Sequence, residues 1–133
     1  MNSFNHYAYG AIGEWLYSTV AGLGLDPQKP GYKHSIIHPH PGGGLSQASA
    51  RLHTVYGEIV SAWTISEGKF SLELTVPPNT SATLHLPSRL NEPILEDGRD
   101  AAESQEITAL GRRNNIATYQ LSSGSYNFTS TLP

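Results

Sequence analysis

The chain has no cysteine and a single methionine in 133 residues. Disulfide staples, thiolate metal ligation and cysteine nucleophiles are therefore excluded, while the cellular compartment stays open. Charge is also scarce: 14% of residues are Asp, Glu, Lys or Arg, against a usual quarter, so Ser, Thr, Asn and Gly must supply much of the surface. Eight basic and 11 acidic residues leave a net charge of −3, with none of the basic excess that nucleic-acid binding needs. Met1 is followed by polar residues with no basic leader region, so no signal peptide is read and localisation is undecided. Long uncharged runs are missing too. Tyr7 to Leu25 comes closest, with Glu14 as its only charge in 19 residues, near the length of a membrane span. A carboxylate near the centre of a span costs on the order of 2.5–3.5 kcal/mol. Gly10, Gly13, Gly22 and Gly24 weaken a span further, and no membrane partner is expected.

What is present divides the chain in two. Phe4, Ala8, Ala11/Ile12, Trp15/Leu16 and Val20 recur at helical spacing. This predicts an N-terminal helix that is apolar almost all round, of the kind found inside something larger. Gly10 and Gly13, one turn apart, would allow close backbone approach at about 1 kcal/mol each in helix propensity. Gly22, Gly24, Pro27 and Pro30 stop the helix, and residues 22–31 read as a linker. The domain expectation is 1–31 for helix and linker and 32–133 for a second unit.

From Tyr32 onward the period is two. A short strand over Lys33–His38 ends at Pro39, and Pro39-His40-Pro41-Gly42-Gly43-Gly44 is a sharp break. Ala48/Ala50/Leu52, Ile59/Ser61/Trp63/Ile65, Phe70/Leu72/Leu74/Val76 and Ala82/Leu84/Leu86 alternate in turn. Tyr56-Gly57, Glu67-Gly68, Pro77-Pro78-Asn79 and Asp97-Gly98 fall between or after them as turn signals. Two closing strands carry Ile116, Thr118 or Ala117, Tyr119, Leu121, then Tyr126 and Phe128. The fold class is thus mainly β: an antiparallel sandwich of about eight strands preceded by one helix.

Few residues could carry chemistry. No nucleophile elbow stands out, and Gly42-Gly43-Gly44 lies between strands rather than before a helix. His38 and His40 would share one face of an extended chain, near His34. That spacing is compatible with a metal, but no acid lies beside it, and loop histidines in contact with solvent are the plainer reading. Glu14 reads as a buried, hydrogen-bonded carboxylate rather than a catalytic acid. Asn79-Thr80-Ser81 and Asn127-Phe128-Thr129 match a glycosylation tripeptide that chance often supplies. Tyr32, Tyr56 and Trp63 could form a sugar-binding platform, the alternative function, although alternation puts Trp63 with Ile59 and Ile65 in a core.

Together, several ordered motifs carry a resemblance. Asn2-Ser3-Phe4-Asn5-His6-Tyr7-Ala8-Tyr9-Gly10 and Gly13-Glu14-Trp15-Leu16-Tyr17 resemble the end of the catalytic domain of bacterial α-L-rhamnosidases, glycoside hydrolase family 78. Pro30-Gly31-Tyr32-Lys33-His34 and Pro39-His40-Pro41-Gly42-Gly43-Gly44-Leu45 resemble the junction that follows. Ser46 to Trp63, Val76-Pro77-Pro78-Asn79-Thr80 and Gly124-Ser125-Tyr126-Asn127-Phe128 resemble that family's C-terminal β-sandwich.

The resemblance implies that the helix is the last of an (α/α)6 barrel hydrolysing terminal α-L-rhamnosides with inversion. Inverting glycosidases use two carboxyl groups roughly 6.5–9.5 Å apart, and in this family both precede the segment matched here. It implies no catalytic residue, metal or cofactor in this chain. His6 would line the sugar subsite, its imidazole offering one donor and one acceptor to a diol, with Asn5 in support. The partners it implies are the upstream barrel and, in the intact enzyme, a rhamnoside. A helix without its barrel would dock on its own sandwich, associate with a second copy of the chain, or be poorly ordered.

Overall fold

The computed structural model describes residues 23–25, 33–41 and 44–133. The predicted N-terminal helix lies outside the described residues.

Among the described residues, eleven strands form two stacked sheets. They are β1 (Leu23–Leu25), β2 (His34–Ile37), β3 (Gln47–Thr54), β4 (Gly57–Ser66), β5 (Lys69–Val76), β6 (Ser81–Pro87), β7 (Leu95–Glu96), β8 (Arg99–Asp100), β9 (Ile107–Arg113), β10 (Ile116–Leu121) and β11 (Gly124–Thr131). One sheet runs β1-β2-β6-β10-β9 and the other β3-β4-β5-β11-β7-β8. The period-2 apolar residues meet in register across strands. Trp63 lies opposite Ala48 on one side and Leu72 on the other, and Leu72 lies opposite Phe128. In the facing sheet Leu84 pairs with Tyr119 and Leu86 with Ala117. These inward rows form one core, each large side chain stabilising the fold by roughly 1.5–3 kcal/mol.

Turn chemistry sets the registers. Glu67-Gly68, Asp97-Gly98 and Asn114-Asn115 have positive φ at both residues, the backbone that two-residue hairpins with native twist require. Gly57 is fixed for a different reason. At φ +131°, a Cβ there would also meet Pro77 Cβ at 3.2 Å.

Three sequence expectations change. The sandwich is not wholly antiparallel, because β2 runs parallel to β6, with Ile37 opposite Leu84. The residues 22–31 read as linker include β1, which pairs with β2 and puts Leu23 opposite Ile37 in the core. Among the described residues there are eleven strands rather than about eight. One of the additions, β9, has a bulge: Gly111 faces Thr118 and Ala109 faces Tyr119, so Leu110 is the extra residue and points outward. A bulge and two arginines on an edge strand discourage pairing with another chain.

The crossovers between sheets are pinned by polar contacts. Tyr126 Oη donates to the Ser122 carbonyl at 2.6 Å, a tyrosine corner in the step from β10 to β11. Burial, then Glu106 and Glu96, push its phenol up to about 12. The Arg112 guanidinium donates to the Ser88 hydroxyl and to the Arg89 and Glu92 carbonyls at 2.7–2.9 Å, holding the step from β6 towards β7. Ser130 Oγ ties β11 to the Pro87 carbonyl at 2.7 Å.

Candidate functional site

Asn5 and His6, the expected sugar-contacting residues, lie outside the described residues. The histidines after β1 are described: His38 and His40 lie in a loop, half-exposed and exposed, as expected, and only His34 departs from the reading of loop side chains in solvent. His34 is on β2, 5% exposed. Its Nδ1 meets Ser81 Oγ at 2.5 Å and its Nε2 meets Thr83 Oγ1 at 2.7 Å. The parallel β2–β6 register makes this contact, and a partner 47 residues away leaves no local signal in the sequence. Thr83 extends the row to Gln120 on β10, its hydroxyl 3.5 Å from Oε1.

His38 and His40 do come together, as their spacing predicts. Their rings lie 4.3 Å apart, tilted by 33°. A third imidazole joins them: His85 of β6, whose ring centroid is 5.0 Å from that of His38. His85 Nδ1 is 3.3 Å from Thr118 Oγ1 on β10. Nothing in the sequence singled out His85, because its relevance depends on β6 lying beside β2. The period-2 position it shares with Thr83, facing away from Leu84 and Leu86, was the available clue. Among the described residues, no group of three His, Asp or Glu is arranged to hold a metal ion.

Burial, then the imidazoles of His40 and His85, hold the His38 pKa below its ordinary 6.5. Below pH 6.5 the unfolded chain therefore binds more protons at this position than the folded one. Its contribution to stability should be complete above about pH 6.5 and lost as pH falls through the folded-state value. Urea midpoints measured from about pH 8 to about pH 5 should decline in wild type and decline less in His38→Asn. Coincident curves for the two proteins would contradict this assignment.

Two of the three rings, His38 and His40, border a groove of about 410 Å³ at one end of the sandwich. Its walls are His38, His40, the prolines 39, 41, 87 and 133, and Leu45, Ile65, Ile116 and Leu132. No Asp, Glu, Lys or Arg lines it, and Leu45 is 48% exposed. A second hollow, of about 480 Å³, is polar: Glu96, Asp97, Arg99, Asp100, Glu103 and Glu106 surround it, on the β7–β8 hairpin, the 3-10 turn Ala101–Glu103 and the residues leading into β9. The aromatic platform is not assembled. Trp63 is 1% exposed and packs against Phe70, with centroids 5.7 Å apart and the rings tilted by 33°. Tyr56 carries Lys33 Nζ at 5.3 Å over its ring, and Tyr32 lies outside the described residues.

Two stacked sheets around one continuous core, with polar networks locking the crossovers, define a β-sandwich domain. Residues 24–99 match the family model of the bacterial alpha-L-rhamnosidase C-terminal domain, and the chain belongs to that family. Curated relatives include alpha-L-rhamnosidases of Streptomyces avermitilis, 36% identical over 97% of this chain, and Formosa agariphila, 38% identical over 96%. The chain spans 12% and 14% of their respective lengths. Among solved structures, the Streptomyces avermitilis alpha-L-rhamnosidase complexed with L-rhamnose is similar, with a TM-score of 0.77, 34% identity, and coverage of 98% of this chain and 12% of that one. The alpha-L-rhamnosidase from Dictyoglumus thermophilum gives a TM-score of 0.78 at 33% identity, over 97% of this chain and 14% of that one.

Proposed function

We propose that this chain is the tail of an inverting α-L-rhamnosidase. Residues 1–31 are the last helix and linker of its (α/α)6 barrel, with β1 reaching out of the linker to complete a sheet edge, and residues 32–133 are a sandwich that caps and stiffens the barrel. The observation that carries the reading is the relation of lengths: nearly all of this chain aligns with about an eighth of each enzyme it resembles. In this reading Asn5 and His6 face the sugar and Ala8 to Val20 pack in the barrel. The acid and base that act on the glycosidic bond are supplied upstream. Burial of Trp63 in the core counts against a sugar-binding platform as the module's main task.

The test is the coding sequence directly upstream of Met1. The reading predicts an open frame encoding an α-helical barrel with paired carboxylates. A stop codon and ribosome-binding site immediately before Met1 would overturn it.

A further inference from the structure

We infer that the apolar, histidine-bordered end of the sandwich is the surface on which the catalytic barrel seats. This rests on the proposed reading that a barrel precedes the chain.

The β1–β2 register provides the first argument. Leu23 lies opposite Ile37, the residue before His38. Leu23, where the described part of the chain enters β1, therefore lies at the end of the sheet where His38, His40 and the groove are found. Helical spacing in the sequence runs to Val20, three Cα steps from Leu23, which reach at most about 11 Å. A barrel whose last helix ends at Val20 is thus tethered within that distance of Leu23, at the groove's end of the sheet, and cannot reach the opposite end of the sandwich without spanning its length.

The surface chemistry agrees with the tether. Leu45, Ile65 and Leu132 present apolar surface that water would otherwise cover, and no Asp, Glu, Lys or Arg side chain in the lining must be desolvated when a partner closes over it. His38 and His40 add ring nitrogens at the rim that can meet polar groups of the partner. The far end of the sandwich differs. Its hollow is lined by Glu58, Thr75, Ser123 and Ser125 alongside Val76 and two prolines, and burying Glu58 there would cost the desolvation of a carboxylate.

Hydrogen exchange read by mass spectrometry tests this on two proteins: the 133-residue chain, and the intact enzyme in which it follows its barrel. Peptides covering residues 38–46 and 129–133 should exchange at least about tenfold more slowly in the intact enzyme. Peptides covering 54–58, 77–81 and 122–125, at the far end, should be unchanged. Leu45→Asp in the intact enzyme should remove the groove's protection while leaving the melting midpoint of the 133-residue chain unaltered. Protection confined to the far end, equal exchange in the two proteins, or protection indifferent to Leu45→Asp would each overturn the inference and leave the proposed function standing. Concentration-dependent protection of the groove in the 133-residue chain alone would also overturn it, by making a second copy the occupant. An upstream sequence without a barrel would overturn both.

Discussion

Trp63→Ala should lower the stability of the sandwich by about 3–5 kcal/mol, the usual cost of emptying an aromatic site in a packed core. Trp63 is 1% exposed, flanked in its sheet by Ala48 and Leu72 and packed against Phe70. Strands on both sides are held by ladders that collapse could not close without breaking register, so much of the cavity should persist. A domain of this size is stable by about 5–15 kcal/mol in total, which makes the loss a large fraction. For a domain of about 100 residues, it corresponds to a fall in Tm of at least about 12 °C. Trp63→Phe, which keeps much of the volume, should cost distinctly less. A melting temperature unchanged by Trp63→Ala would mean that the indole sits on the surface, and would revive the platform for sugar.

The second large effect concerns catalysis. The 133-residue chain should not hydrolyse rhamnosides, falling short of an intact enzyme by about a millionfold or more, the usual scale of enzymic acceleration. Inversion requires one carboxylic acid held protonated at the leaving oxygen and one carboxylate on a water across the ring. Enzymes hold such an acid protonated by burying it in apolar surroundings. The densest set of described acids, Glu96, Asp97, Asp100, Glu103 and Glu106, lies instead around an open polar hollow shared with Arg99, where all but Glu96 are exposed. In the proposed reading His6 and Asn5 supply hydrogen bonds to sugar hydroxyls, which orient a substrate but move no proton at the glycosidic oxygen.

Much of the fold was legible because its central strands each have one wet face and one dry face. Phe70, Leu72, Leu74 and Val76 alternate with exposed Ser71 and Glu73 along β5, and that contrast is what a period-2 pattern records. Where the contrast fails, so does the reading. Thr108 to Arg113 of β9 are exposed on both faces, so the strand carries no apolar row, and the hairpin turn at Asn114-Asn115 has no alternation before it to mark it. β1 is three residues long, Leu-Gly-Leu, too short to show a period among helix-stopping glycines. At Ile116–Leu121 the pattern permitted two phases. Packing selects Ala117, Tyr119 and Leu121 as the inward row, since these meet Leu86, Leu84 and Ala82.

The histidine cluster was half legible. Proximity of His38 and His40 follows from local geometry, whereas the His34–Ser81–Thr83 contacts and the approach of His85 depend on β2 lying parallel to β6. A crossover of more than 40 residues separates those strands, and no local rule encodes which strand a short edge segment will join. The expected sugar-contacting pair, Asn5 and His6, rests on motif resemblance alone.

The most direct test of the account is release of the chromophore from an aryl α-L-rhamnoside by the purified 133-residue chain, run beside the intact enzyme. Turnover is expected from the intact enzyme, and none above background from the chain. Turnover by the chain that disappears in His6→Ala would contradict it, because these residues would then form a competent site without a barrel.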